Sequence, residues 1–351
     1  MAIKHGDIEF YAGPQRAGAL DNLEKVIVDF INLAHKSLDI AVQELENRNI
    51  AQAVIEAKRR KVRVRLVIEQ HYLRSSVQSK TPWSVPNRSS NEENRLIHDA
   101  LLRANIDIKS DYNPHIFHQK FIVRDSQSVL TGSTNFTLTG TDKNLNHIVI
   151  VHDSVIAKIY RKEFSEIQKG RFGSNMLSHD PIPKRRLVSD ISIKVLFAPE
   201  HSPEMEIMKQ MLKAKKRIDF AIFTFSKSSG IDDTMYALLN LGISINGVFD
   251  AAAGAQKWAP LKRLEQQGAH LYAAGHHKGI GKLHHKLMVI DDSVVIAGSF
   301  NYTGPANRLN DENIIVLGDL ETKNPLQQRA QGALAKYVRC EIDRIKAENS
   351  R

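Results

Sequence analysis

The chain has 351 residues, of which 42% are hydrophobic and 25% are charged. This length and composition exclude a disordered or low-complexity chain and predict two domains, or one two-lobed unit with a substantial core. No stretch supplies the roughly 20 consecutive apolar residues that a membrane span needs, and the start lacks the apolar segment of a secretory signal. The single cysteine, Cys340, excludes an internal disulfide, so a soluble cytoplasmic protein is expected.

The formal net charge is +10, which concerns partners rather than the fold. A positive field attracts polyanions, so nucleic acid is the first candidate partner and anionic phospholipid the second. An ordinary solvated surface would also carry such an excess, so the charge alone does not decide.

Short apolar runs alternate with helical stretches in the same order in both halves of the chain. In the first half the strands are predicted at 7–14, 37–45, 62–69 and 106–109, and in the second at 191–199, 217–225, 243–250 and 269–274. The helical stretches include 20–35 and 203–215, and each half ends in a helix, at 153–169 and 324–346. Such alternation predicts an α/β fold of two similar lobes, each a mostly parallel mixed sheet flanked by helices. The Gly, Ser, Pro and basic residues of 171–190 predict a linker between lobes 1–170 and 191–351.

One motif occurs in both halves with all six positions offset by 166 residues. The first copy, HQKFIVRDSQSVLTGSTN, contains His118, Lys120, Asp125, Gly132, Ser133 and Asn135. The second copy, HHKLMVIDDSVVIAGSFN, contains His284, Lys286, Asp291, Gly298, Ser299 and Asn301. Histidine and lysine two residues apart on a strand project from one face, and the returning strand brings glycine, serine and asparagine beside them. The two aspartates are expected at the turns, as structural residues.

These motifs resemble the HxKxxxxD and GSxN signature of the phospholipase D superfamily. The resemblance implies that both motifs meet across a pseudo-twofold axis in a single site. It also implies metal-independent chemistry without a cofactor, in which one histidine attacks phosphorus to form a phosphohistidine and the other protonates the leaving group.

The residue types suit that reaction. Lys120, Lys286, Asn135 and Asn301 supply charge and hydrogen bonds for the oxygens of a phosphodiester as negative charge accumulates on them. Imidazole serves as a nucleophile when neutral and as an acid when charged, so two histidines can divide the roles. Ser133 and Ser299 are expected to orient either the phosphate or the adjacent ring.

The two halves differ in the residue expected to hold the histidine ring. Related enzymes carry a carboxylate at the spacing of Glu312 after the second motif, and the 166-residue offset leads to Asn146 in the first half. A carboxylate favours imidazolium, whereas an amide oxygen orients a neutral ring. This reasoning makes His118 the nucleophile and His284 the general acid, with Asp142 as an alternative partner of His118.

Two loops after equivalent strands carry the only tryptophans of the sequence. Trp83 and Arg88 lie in the insertion 70–94, and Lys257 and Trp258 lie in 251–260. If these loops border the cleft, the tryptophans would stack on bases and the cations would contact the backbone of a nucleic acid. The alternative is that each tryptophan covers the core of its lobe.

The sequence favours no metal site, because the histidine-rich segment 275–286 lacks a recognisable zinc spacing. The favoured function is a nuclease that cleaves DNA or RNA. A phospholipase D or phosphatidyltransferase and a phosphate-binding module without turnover are the alternatives. Since each chain supplies both motifs, a monomer is expected to be sufficient for activity, without excluding a homodimer.

Overall fold

A computed structural model describes residues 3–74, 80–83, 91–173, 180–275 and 279–349. The strands of the first half are β1 (Ile3–His5), β2 (Ile8–Gly13), β3 (Ser37–Val42), β4 (Arg63–Ile68), β5 (Asp107–Ser110), β6 (Lys120–Arg124), β7 (Ser128–Gly132) and β8 (Asn146–Val151). Its helices are α1 (Leu23–Asn32), α2 (Arg48–Arg59), α3 (Glu92–Arg103), α4 (Leu138–Asp142) and α5 (Ser154–Gln168), with 3₁₀ turns at Gln15–Ala17 and Gln70–Tyr72.

The second half repeats this order. Its strands are β9 (Arg186–Val188), β10 (Ile191–Ala198), β11 (Arg217–Ile222), β12 (Ser244–Asp250), β13 (His270–Ala274), β14 (Lys286–Ile290), β15 (Val294–Gly298) and β16 (Glu312–Leu317). Its helices are α6 (Pro203–Met211), α7 (Ile231–Asn240), α8 (Ala251–Gly254), α9 (Leu261–Gln266), α10 (Gly304–Arg308) and α11 (Pro325–Asn349). Within the described ranges, no helix is both long and apolar enough to cross a membrane.

Local sequence accounts for where several helices begin. Asn22, Asn47 and Asp153 precede α1, α2 and α5, and each side chain accepts a hydrogen bond from backbone N–H groups of the first turn. These contacts satisfy donors that have no partner inside the helix. Strands β8 and β16 read NHIVIV and ENIIVL and are buried along their whole length, because helices or the other lobe cover both faces.

Each half forms one eight-stranded sheet. The orders are β1-β2-β8-β7-β6-β3-β4-β5 and β13-β12-β11-β14-β15-β16-β10-β9. The α/β fold of two similar lobes is confirmed, but the prediction of mostly parallel sheets is wrong. Among the named strands of the described ranges, β3-β4-β5 and β11-β12-β13 pair in parallel and the other neighbours pair antiparallel. Helical crossovers produce the parallel pairs, whereas tight turns join the motif strands β6-β7 and β14-β15 as hairpins.

Three hydrophobic clusters hold the layers together. One outer cluster packs α1, α2 and α3 on the first sheet, and another packs α6, α7 and α9 on the second. The third is central and contains residues of both sheets together with α5 and α11. The lobes therefore share a continuous core, which fixes the two motifs relative to each other. Strand β9 lies within the predicted linker 171–190. Because β9 pairs with β10, this part of the segment belongs to the second sheet.

Asp125 and Asp291 lie in the turns of the motif hairpins, where they hold the start of a neighbouring strand. Both turns have positive φ at two consecutive residues, which aspartate tolerates better than most side chains. The Asp125 carboxylate accepts N–H groups of Lys36 and Ser37 at 2.6 and 2.8 Å, and Asp291 accepts the equivalent groups before β11. Neither carboxylate reaches the cleft, so both are structural.

Replacing Asp125 by alanine is expected to lower the free energy of unfolding by about 1–3 kcal/mol, because the backbone N–H groups before β3 lose their acceptor. Asp125→Asn keeps one acceptor oxygen and tolerance of positive φ, so its loss should be smaller. Denaturant titration of both variants measures the difference, and equal stability of Asp125→Ala and wild type would contradict the assignment.

The same contact has a pH dependence. Burial acts to raise the pKa of Asp125, but the N–H groups of Ser37, His35 and Lys36 outweigh it and hold the pKa below its usual range. A carboxyl group with a lowered pKa stabilises the fold above its unfolded pKa of about 3.9. The stability that Asp125 contributes should be lost as the pH falls from about 3.9 towards the lower pKa of Asp125 in the folded protein.

Candidate active site

The two motif histidines meet where the lobes touch. The N–H of His118 donates to the carbonyl of Asp311 in the other lobe, and the N–H of His284 donates to the carbonyl of Leu145, both at 2.9 Å. These contacts bring the imidazole rings to 6.5 Å between centroids, at an interplanar angle of 73°. Both side chains are buried at the base of one cleft. One site is therefore built from the two motifs.

Glu312 holds the ring of His118 from the opposite lobe. Nδ1 of His118 lies 2.7 Å from Oε2 of Glu312, and this oxygen also accepts the hydroxyl of Ser299 at 2.6 Å. Ser299 in turn accepts the N–H of Asn313. With Nδ1 engaged, Nε2 of His118 is the nitrogen left for a substrate. Ser299 thus positions the carboxylate that orients the catalytic ring.

Asn146 holds the ring of His284 in the same crossed manner. Its Oδ1 lies 2.9 Å from Nδ1 of His284 and accepts the hydroxyl of Ser133 at 2.7 Å. Its Nδ2 donates to the carbonyl of Gly140, which fixes the orientation of the amide. Because Oδ1 can only accept, Nδ1 of His284 must carry a proton. Nε2 is again the nitrogen available to a substrate.

This crossed arrangement corrects the sequence-based pairing. The sequence placed Glu312 with His284 of its own half, and the structure places Glu312 on His118 and Asn146 on His284. The alternative partner Asp142 is exposed and pairs with Arg16. The physical reason is that the start of β16 lies beside the first motif across the axis, where Phe117 bridges to Asp311. Sequence spacing alone carries no information about that contact.

The next residues along each strand also pair across the axis. Asn313 donates to Gln119 at 2.7 Å, and Gln119 donates to the carbonyl of Glu312 at 3.1 Å. At the equivalent positions, His147 and His285 stack with ring centroids 5.6 Å apart. These side chains are buried, and their hydrogen bonds join the lobes directly beneath the two catalytic rings.

The two motif lysines are buried beside the histidines. Nζ of Lys120 donates to the carbonyl of His118 at 2.8 Å and to Oε1 of Gln43 at 3.0 Å. Nζ of Lys286 donates to the carbonyl of His284 at 2.9 Å and lies 5.2 Å from the centroid of the Phe223 ring. Each lysine is therefore fixed by its own motif.

Burial governs the protonation of this cluster. It lowers the pKa of both histidines well below the usual value, and the nearby lysines lower it further. Burial likewise lowers the pKa of Lys120 to about 7 and raises that of Glu312 to about 8, against the opposing effect of Lys120 on the carboxyl group. Near neutral pH the two rings are neutral, and an entering phosphate anion would favour their charged forms.

The two motif asparagines also line the cleft. Asn135 donates through Nδ2 to Glu44 at 2.8 Å, and Asn301 occupies the equivalent position of the second lobe. The Oδ1 atoms of both are buried and accept no hydrogen bond from the described residues. Buried amide groups without partners are rare, so this pair is poised for a polar ligand.

Glu44 and Gln43 are functional candidates that the sequence analysis missed. They follow β3 directly and line the cleft, and Phe223 and Thr224 take the equivalent positions after β11. Burial raises the pKa of Glu44 to about 6, while Lys120 acts to lower it. Their position directly after a parallel strand could have identified them from the sequence, because α/β proteins commonly bind ligands at the carboxyl ends of such strands.

The cleft has a volume of about 1100 Å³ and is lined by both lobes. Trp258 is 42% exposed and belongs to its lining, together with Lys282 and Tyr72. Trp83 is 99% exposed and does not line the cleft. The alternative prediction, that each tryptophan covers the core of its lobe, is therefore wrong for both. Lys257 is exposed outside the lining, and Arg88 lies outside the described residues.

Two buried imidazoles thus face each other across one cleft, with lysines and amides beside them. The chain belongs to the phospholipase D superfamily. The family model described as "Cardiolipin synthase, PLD-like domain" matches residues 27–168 and 207–333. The shared chemistry of this superfamily is cleavage of phosphodiesters.

Individual relatives cover less of the chain. Mitochondrial cardiolipin hydrolase from Xenopus laevis is 30% identical over 134 residues, which are 38% of this chain and 55% of that protein. Phospholipase D from Rickettsia conorii is 29% identical over 136 residues, or 39% of this chain and 59% of that protein. The chain thus spans little more than half the length of these curated relatives.

A solved structure resembles the whole fold. Phosphatidylserine synthase from Haemophilus influenzae superposes with a TM-score of 0.67 at 15% identity, covering 97% of this chain and 88% of that chain. At this identity the likeness concerns the two-lobed architecture and not the substrate.

Replacing Glu312 by glutamine is expected to lower turnover of a simple aryl phosphodiester by about 10²–10⁴-fold, as loss of an orienting carboxylate does in other histidine-dependent enzymes. The variant keeps the shape of the side chain and removes its charge. Glu321→Gln, an exposed glutamate near β16, is the control. Unchanged turnover in Glu312→Gln would show that the carboxylate does not assist His118.

Proposed function

We propose that this protein is a metal-independent nuclease that cleaves phosphodiesters through a covalent phosphohistidine on His118. The observation that supports the mechanism is the pair of Nε2 atoms presented to one cleft by rings that Glu312 and Asn146 hold through Nδ1. Each ring is fixed in one tautomer, so the two can act on opposite sides of the same phosphorus atom.

In the first step, the Nε2 lone pair of His118 forms a bond to phosphorus while the bond from phosphorus to the leaving oxygen breaks. His284, protonated on Nε2 once the anionic substrate is bound, donates that proton to the leaving oxygen. In the second step, His284 removes a proton from water as the water oxygen attacks phosphorus. The bond to His118 then breaks, which releases a phosphomonoester and restores both rings.

The charges that develop during the reaction favour His118 as the nucleophile. A phosphorylated imidazole that keeps its Nδ1 proton is a cation. Its charge favours the ionised form of Glu312, whose pKa burial raises to about 8, and the carboxylate then neutralises the ring. An acid must instead lose its charge easily, and the uncharged Asn146 beside His284 does not retain the proton. In the free enzyme, a carboxylate partner would favour imidazolium at His118 and an amide would favour a neutral ring at His284, which corrects the basis of the sequence prediction. The charge of the phosphorylated ring selects His118 instead.

The remaining motif residues serve the phosphate oxygens. Lys120 and Lys286 lie beside the two histidines, and the Nδ2 groups of Asn135 and Asn301, which line the cleft, are the amide atoms that can donate to phosphate oxygens. Burial lowers the pKa of Lys120 to about 7 and that of Lys286 well below its usual value. An anionic substrate would favour the charged forms of both lysines, which then stabilise the equatorial oxygens as these become more negative.

The cleft lining supports nucleic acid as the substrate. Hydroxyl and amide side chains predominate in it, and Ile116 is the one aliphatic side chain other than proline that lines its described walls. Trp258 offers a ring for a base, and Lys227 and Lys282 offer charge for flanking phosphates. With a net charge of +10, these features match a polyanion better than an acyl chain. A monomer located in the cytoplasm is part of the same proposal.

A phospholipase D or phosphatidyltransferase activity is the second candidate. It is favoured by the names of the matching proteins, since cardiolipin hydrolase and phospholipase D act on phospholipids. An anionic bilayer would also attract a basic protein. The two candidates share the histidine chemistry and differ only in the substrate, so one set of variants tests both.

The decisive assay is cleavage of labelled single- and double-stranded DNA and RNA in excess EDTA, beside vesicles that contain cardiolipin and phosphatidylcholine. Nucleic acid cleavage by the wild type should fall by at least about 10³-fold in His118→Ala, since a residual rate remains after loss of a nucleophile. Release of lipid head groups with intact nucleic acid would replace the nuclease by the second candidate. Inactivity on every substrate would favour the binding module.

Trapping the intermediate assigns the two histidines. With an aryl ester, whose leaving group needs no proton, His284→Ala should still accumulate the adduct on His118, because only the acid and base are missing. Mass spectrometry of the acid-labile adduct locates the phosphoryl group. An adduct on His284 in the wild type or in His118→Ala would reverse the assignment.

Lys282 lines the cleft and approaches the Phe223 ring with its Nζ at 5.4 Å from the centroid. Lys282→Ala should weaken nucleic acid binding and reduce the slope of log K against log salt by about 1, the value for one phosphate contact. Lys323→Ala, outside the cleft lining, is the control and should leave the slope unchanged. A slope equal to that of the wild type in both variants would remove Lys282 from the interface.

A further inference from the structure

Acidic side chains from both lobes meet at a second place in the structure, away from the catalytic cleft. Glu163 and Glu166 lie on α5 of the first lobe, and Glu200 follows β10 of the second. One carboxylate oxygen from each lies within 4.8 Å of those from the other two. None of the three lines the catalytic cleft.

The carboxylates surround a small cavity of about 60 Å³. A water molecule takes about 30 Å³ in the liquid, so the space suits one cation with one water. Asp180 and His201 also border the cavity, and Lys162 pairs with Asp180 at its edge. Among the described residues, Lys162 and Arg171 are cations near Glu166, and together they face four carboxylates.

The unpaired oxygens point to a ligand. Glu163 is only 3% exposed, and its Oε1 accepts no hydrogen bond from the described residues. Oε2 of Glu200 is buried and likewise without a donor in the described chain. A buried carboxylate without a partner costs several kcal/mol, so a site of this kind calls for a cation or a proton.

His201 does not supply a metal ligand. Its Nδ1 accepts the N–H of Phe197 at 3.1 Å, so in the neutral ring Nε2 carries the proton. Nε2 lies 3.5 Å from Oε1 of Glu200 and faces the acidic group as a donor. The available ligands are then oxygens alone, which hard cations such as Ca²⁺, Mg²⁺ and Mn²⁺ prefer.

We propose that Glu163, Glu166 and Glu200 bind a divalent cation, with Ca²⁺ preferred, and that this cation fastens the two lobes together. Ca²⁺ tolerates irregular sets of carboxylate and water oxygens, whereas Mg²⁺ demands a near-octahedral arrangement. The cation serves stability and takes no part in phosphoryl transfer.

The test uses the full chain after removal of metals with EDTA. Calorimetric titration with CaCl₂ should show saturable binding of one Ca²⁺, and thermal unfolding should shift to higher temperature as Ca²⁺ is added. MgCl₂ and MnCl₂ are titrated in parallel. Absence of saturable binding, with a Tm that responds to acid and not to any of the three cations, would show that protons neutralise the cluster and would overturn the proposal.

Glu163→Gln/Glu200→Gln locates the site. The double variant should raise the Kd for Ca²⁺ by at least about tenfold, since affinity follows the charge of the ligands. Its Tm in EDTA should exceed that of the wild type, because the repulsion is gone. Glu265→Gln, an exposed glutamate on α9, is the control and should bind Ca²⁺ as the wild type does. Undiminished binding by the double variant would place the cation elsewhere.

Two further readouts keep the result interpretable. If the double variant does not fold, Glu200→Gln, which changes a loop residue only, takes its place with the same expectation. Phosphodiesterase activity in EDTA, measured well below the Tm, should be equal in the wild type and these variants. Failure of the nuclease proposal therefore leaves the cation titration unaffected, and the reverse also holds.

Discussion

Two crossed hydrogen bonds, from His118 to Glu312 and from His284 to Asn146, join the lobes at the catalytic centre. Each imidazole is oriented by a residue of the other lobe, so neither half holds a working histidine by itself. The crossed pairs lie on a central core that includes α5, α11 and both sheets. Docking of the lobes therefore sets the orientation of both imidazole rings.

The pseudo-twofold axis makes the partners equivalent in position but not in chemistry. A carboxylate stands beside one ring and an amide beside the other, although the backbone contacts that bring them there are the same. The axis also pairs Gln119 with Asn313 on one side and His147 with His285 on the other. A duplicated scaffold thus carries two rings in different electrostatic surroundings, which a reaction with separate nucleophile and acid requires.

Burial sets the properties of this centre. In water the lysines would be charged and the histidines partly protonated, whereas burial moves each pKa towards the neutral form. The carboxyl groups around Glu163 at the lobe junction border a small cavity, whereas the cleft is open and has buried lysines beside it that an anion would keep charged. The two sites therefore suit ligands of opposite charge.

The sequence determined much of this protein by itself. The 166-residue offset identified both motifs, and the repeated alternation of apolar runs and helical stretches predicted the two-lobed α/β fold, because both are patterns of the residues themselves. The positions of Asp125 and Asp291 followed from the strand and turn pattern around them. Helix limits such as those of α5 and α11 also agreed closely with the predicted stretches, since local periodicity and capping specify them.

Only the tertiary structure decided which residues meet. The strand directions were predicted wrongly because apolar runs do not reveal whether a neighbour is a hairpin partner or a crossover partner. The crossed Glu312 pair, the cleft residues Gln43 and Glu44 and the acidic cluster of α5 and β10 all depend on contacts between segments distant in sequence. Such contacts are set by how the two lobes pack, and no spacing within either half encodes them.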